Sequence, residues 1–74
     1  MAGSYTEKSQ AYWAGLKFYF NKAIEYYDAP PSLDTLSVIS KSGPGLFTVE
    51  EFENGFEVVE LSGADTVLQN LFGV

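Results

Sequence analysis

Apolar side chains recur through the first third of the chain with a helical period. Tyr5, Tyr12, Tyr19 and Tyr26 are spaced by seven residues. That is close to two helical turns, so on one helix they form a row along one side. Trp13, Leu16, Phe20, Ala23, Ile24 and Tyr27 widen the apolar arc to about 180°, where an amphipathic helix needs only about 100°. Gln10, Lys17, Asn21, Lys22 and Glu25 take the other side, and Phe18 intrudes among them. Ser4-Tyr5-Thr6-Glu7 fits a capping box, and no proline follows before residue 30. The pattern predicts one unbroken helix over 5–27. Gly15 inside it is either a tolerated imperfection or a gap that admits another backbone or ring. Asp28-Ala29-Pro30-Pro31 ends the helix, because proline cannot continue it.

The pattern then changes. Residues 35–41 are β-branched and roughly alternating, which predicts a strand, and Ser42-Gly43-Pro44-Gly45 predicts a turn. Asn54-Gly55 between two apolar-rich runs predicts a hairpin over 46–61. A three-residue loop, Glu53-Asn54-Gly55, pairs Phe52 with Phe56, Val49 with Val59 and Phe47 with Leu61, and sets Glu51 opposite Glu57. The competing reading is a short helix, since Thr48-Val49-Glu50-Glu51 is also a capping box and Val49, Phe52, Phe56 and Val59 have helical spacing. The mid-element Asn-Gly favours the hairpin. Ser62-Gly63-Ala64-Asp65 reads as a turn and 66–72 as a two-turn helix, with Val67, Leu68, Leu71 and Phe72 inward and Gly73 as its stop. The expected architecture is one small α+β domain over 1–74, in the order α-β-β-β-α. Its long N-terminal helix packs on a three-stranded antiparallel sheet and a short helix closes the chain. No repeat, low-complexity tract or linker interrupts it.

Composition narrows what such a domain does. A chain of 74 residues buries only about 60% of the surface its unfolded form exposes, so its core needs good packing or association. It has no cysteine and no histidine, so disulfides and Cys/His zinc sites are excluded. No run of 18 apolar residues is present, and the N-terminus lacks a secretory pattern. The default location is the cytoplasm, which for a viral protein means the host cytoplasm or the virion. A net charge of −6 opposes direct binding to nucleic acid or to an anionic membrane and favours a basic partner.

Catalytic chemistry has little to work with. The usual general base, thiol nucleophile and bidentate arginine clamp are all missing, and the glycines fit no phosphate-binding motif. The expectation is a non-enzymatic protein with no cofactor and no metal. Charge is asymmetric instead: after Lys41 there is no Lys or Arg, only Glu50, Glu51, Glu53, Glu57, Glu60 and Asp65. Two partner-binding surfaces are therefore expected. One is an acidic face of Glu50, Glu51, Glu53, Glu57 and Glu60. The other is an aromatic helix edge of Tyr12, Phe18, Tyr19 and Tyr26, where tyrosine suits a contact that buries the ring and leaves the hydroxyl wet. The first surface describes an acidic protein-binding module, in its sharp form an inhibitor that occupies the basic nucleic-acid channel of a larger protein. The second describes a structural subunit that associates with identical or other subunits of a virion or multisubunit assembly.

Overall fold

A computed structural model describes residues 4–73 of the chain. The elements run α1 (Lys8–Tyr27), α2 (Leu33–Leu46), β1 (Phe47–Phe52), β2 (Gly55–Glu60) and α3 (Ala64–Phe72). This is a small α+β arrangement with a two-stranded antiparallel sheet. Among the described residues the predicted third strand is absent, and three helices stand where two were expected.

α1 begins three residues later than predicted. Ser4 and Glu7 do not form a capping box, and Glu7 caps the helix without a side-chain hydrogen bond. The competing interaction is a sheet rung. The Tyr5 and Phe56 amides each donate to the other's carbonyl, both at 2.8 Å, so Tyr5 forms an isolated antiparallel bridge on the outer edge of β2. Two good backbone bonds across the domain outweigh one local cap. The end of α1 falls where predicted. Asp28 adopts a left-handed conformation with φ 54°, and the Ala29 amide donates to the Ala23 carbonyl at 3.1 Å, closing the last turn.

Residues 35–41, read as a strand, lie in α2. The Ser32 side chain accepts from the Thr35 amide at 3.2 Å, and Asp34 sits in the positively polarised first turn. Thr35, Ile39, Gly43 and Leu46 are buried with helical spacing. The expected turn at 42–45 is helical too. Pro44 removes one amide, but the residue before it is Gly43, which has no Cβ to clash with the proline ring. Gly43 also lies close to α1, where an added Cβ would stand 2.9 Å from the Tyr12 hydroxyl oxygen.

The hairpin was predicted and is present, with its register moved by one. Phe52 pairs with Gly55, Glu50 with Glu57, Val49 with Val58 and Phe47 with Glu60. The loop is thus the two residues Glu53 and Asn54. Gly55 already belongs to β2, at φ +132°, and a Cβ there would stand 2.6 Å from the Tyr5 carbonyl oxygen. The bridge to Tyr5 requires glycine at this position, which draws Gly55 out of the loop.

The core forms where α1 crosses the inner face of the hairpin. Ala11, Leu16, Tyr19, Ala23, Ile39, Leu46, Phe47, Val58 and Leu68 are buried together. Phe47 stacks on Tyr19, with ring centroids 5.7 Å apart and an interplanar angle of 7°, and tilts against Tyr12 at 5.3 Å. Its ring fills the space above Gly15, where a Cβ would lie 2.5 Å from a ring carbon. The gap read from the sequence thus admits an aromatic ring of the same chain. Gly15→Ala adds helix propensity of about 1 kcal/mol but forces the Phe47 ring out of its stack, and overpacking of this kind costs about 1–3 kcal/mol. We expect Gly15→Ala to lower the midpoint of denaturant unfolding. Gly45→Ala, whose nearest neighbour would be Val67 at 3.8 Å, should leave the midpoint equal or raise it.

Candidate functional site

Strand alternation divides the acidic residues between two faces. The register puts Phe47, Val49 and Glu51 on one face, opposite Glu60, Val58 and Phe56. This is the core face, since Phe47 and Val58 are buried. The other face carries Thr48, Glu50 and Phe52 opposite Val59, Glu57 and Gly55. The register thus divides the five glutamates expected to form one acidic face. Glu50 and Glu57 are direct cross-strand partners on the outer face, in place of the expected Glu51 and Glu57. Glu53 sits in the turn, and Glu51 lies on the core side near the tip, exposed.

Glu60 leaves the acidic face altogether. It accepts a hydrogen bond from the Tyr19 hydroxyl at 2.5 Å. Tyr19 is fully buried, its ring between the helix and Phe47. It is therefore a core residue and not part of a free aromatic edge. Burial pushes the Tyr19 hydroxyl well above the ordinary tyrosine value, and the adjacent Glu60 carboxylate adds to the effect. The hydroxyl thus stays a neutral donor, giving a buried polar atom a charged acceptor at the sheet margin.

Three of the four expected aromatic residues remain at the surface. Tyr12 is about one-third exposed beside Phe47, and Phe18 meets the Tyr19 ring edge-on at 5.1 Å. Tyr26 is 73% exposed. Phe18 and Tyr26 flank an open cleft of about 450 Å³ that also takes in Asn21, Lys22 and Glu25. Lys22 forms an ion pair with Asp65 of α3 at 2.9 Å, whose hydrogen bond raises the lysine pKa. A second cleft, of about 380 Å³, was not foreseen. Trp13, Ala14, Lys17, Phe20, Asn21 and Leu36 line it between α1 and α2. Trp13 is 60% exposed and Leu33, at the start of α2, is 83% exposed. Reading 35–41 as a strand hid this surface, since only a helix there brings Leu36 alongside Trp13 and Phe20.

Among the described residues, no three carboxylates gather closely enough to hold a metal ion, and no helix is long and apolar enough to cross a membrane. Comparison of the chain with models of known protein families, with curated proteins and with solved structures gives no match.

Burial of the Tyr19 hydroxyl, with the Glu60 carboxylate beside it, makes stability depend on alkaline pH. A folded-state pKa raised above 10.0 stabilises the fold fully below that pH, and this contribution disappears as pH rises through the folded value. We expect Tyr19→Phe to cost about 1 kcal/mol near neutrality and to flatten the decline of stability above pH 10. Urea melts of both proteins at a series of pH values check this. Lys22 declines in the same direction in both, so the difference between them isolates Tyr19.

Proposed function

We propose that this chain is a non-enzymatic, acidic protein-binding module that engages a basic surface of a larger protein through the tip and outer face of its hairpin. The observation that carries this reading is the opposition of Glu50 and Glu57. Like charges in direct cross-strand register destabilise a sheet by up to about 1 kcal/mol. Glu51 and Glu53 crowd the same end, and the sequence offers no Lys or Arg after residue 41 to neutralise them. A cationic partner surface removes that repulsion on binding. Acidic fields of this kind also speed association and select partners. In its sharper form the module competes with nucleic acid for a basic channel, its carboxylates standing in for phosphates.

A second reading has its own observation. The cleft lined by Trp13, Phe20 and Leu36, with exposed Leu33 close by in α2, is an apolar surface suited to a seam with another subunit. The fold holds both surfaces apart from the buried core, so they can be altered separately.

One experiment divides the two. Wild type, the Glu50→Lys/Glu57→Lys variant and Trp13→Ala are immobilised and exposed to a host lysate at low and at high salt. We expect wild type to retain a protein that the charge variant loses, that raised salt releases, and that duplex DNA displaces. The charge variant itself should fold about as stably as wild type, since one like-charge pair replaces another across the strands. Retention that ignores salt and the charge variant but disappears in Trp13→Ala contradicts the acidic reading and favours the apolar seam.

A further inference from the structure

We infer that the outer edge of β1 is a docking strand for a basic, extended peptide segment of the partner, which adds to the hairpin as a further strand. This rests on the reading above, that the partner is basic, and specifies how it is held.

The hydrogen-bond phase of the sheet identifies the open edge. Phe56 spends both its amide and its carbonyl on Tyr5, so both point away from β1. In an antiparallel ladder bonded and non-bonded pairs alternate. Glu51–Phe56 is therefore a non-bonded pair, as are Val49–Val58 and Phe47–Glu60, while Phe52–Gly55, Glu50–Glu57 and Thr48–Val59 carry the bonds. The backbone groups of Phe47, Val49 and Glu51 consequently face outward from β1. The Phe47 amide is used by α2, donating to the Gly43 carbonyl. Those of Val49 and Glu51 donate to no described residue. β2 differs, because Tyr5 covers its edge near the tip.

An open edge accepts any extended chain, and charge selects which. A second copy pairing through β1 would bring Glu50, Glu51 and Glu53 against the same residues of its twin, between molecules of charge −6. The charged edge thus excludes self-pairing. A strand rich in Lys or Arg meets the opposite situation. Its side chains on the outer face stand beside Glu50, with Glu57 one strand further across, and those on the other face beside Glu51. Backbone bonds then supply affinity and the alternate side chains supply specificity, as in strand addition generally.

The test uses a capped, fluorescent eight-residue peptide of alternating lysine and threonine, with two modified forms. One is N-methylated at every threonine, the other at every lysine. All three carry the same charge. A strand presents the amides of only one alternate set to its neighbour, so edge pairing requires that one modified peptide lose about tenfold or more in affinity, equivalent to about 1.4 kcal/mol, while the other binds like the parent. In the complex, the Val49 and Glu51 amides should become protected from hydrogen exchange. Equal binding of all three peptides, loss in both modified forms, no change at Val49 and Glu51, or no binding of the parent peptide overturns the inference. The acidic reading fails separately, if the parent peptide binds the Glu50→Lys/Glu57→Lys variant as tightly as wild type at low salt.

Discussion

The Phe47 ring over Gly15 is the contact on which the other parts of the domain depend. It is the first residue of β1, directly after the last residue of α2, so one side chain fixes the junction of helix and hairpin against α1. Its ring is held between Tyr12 and Tyr19, and only glycine at position 15 leaves room for it. In a domain of this size few contacts share the burden, and truncating a buried aromatic typically costs about 3–5 kcal/mol. Tyr19 links the same stack to β2, through Glu60. The hairpin is therefore fastened by its inner face at the end remote from the turn, and near the turn by the backbone rung between Tyr5 and Phe56.

That geometry decides which acids are available. Glu60 serves the fold, tied to a buried hydroxyl. Glu50, Glu51, Glu53 and Glu57 lie towards the free end, with no cation along the hairpin to neutralise them. The buried aromatic stack thus lies at one end of the two strands, and these four acids lie at the other. A module built in this way tolerates charge repulsion at its tip because an apolar stack anchors the far end and a backbone rung to Tyr5 holds the near one. The open β1 edge has the same origin: Tyr5 covers the far side of β2, while β1 ends the sheet.

The parts of the fold governed by local signals were legible. The first helix, expected over 5–27 and found at Lys8–Tyr27, the Pro-Pro stop, the Asn-Gly hairpin and the closing helix all appear near their expected places. What the sequence concealed depended on distant partners. Ser4 and Glu7 look like a cap, yet Tyr5 finds a better partner in Phe56. Thr35, Val38 and Ile39 look like a strand, and Gly43-Pro44 like a turn. Ser32 nucleates a helix instead, and burial of Ile39 and Leu46 carries it through the proline. The hairpin slipped by one residue because Gly55 answers to the Tyr5 backbone, a contact across fifty residues. That slip exchanged Glu51 for Glu50 as the partner of Glu57. The tyrosine row dissolved for a similar reason: Tyr5 joined the sheet, Tyr19 entered the core, and only Tyr12 and Tyr26 kept surface. A strand at 35–41 would leave no Trp13–Leu36 cleft, so the β-branched pattern there conceals it.

The most direct test of an anchored hairpin with an open edge is native-state amide hydrogen exchange on the free protein. The Thr48, Glu50, Phe52, Glu57 and Val59 amides should exchange slowly, alongside those of α1 around Tyr19, because they lie in bonded pairs of a docked hairpin. Val49 and Glu51, between them, should exchange at rates close to those of an unstructured chain. Protection at Val49 and Glu51 matching that of their neighbours, or fast exchange along the whole hairpin, would contradict the account.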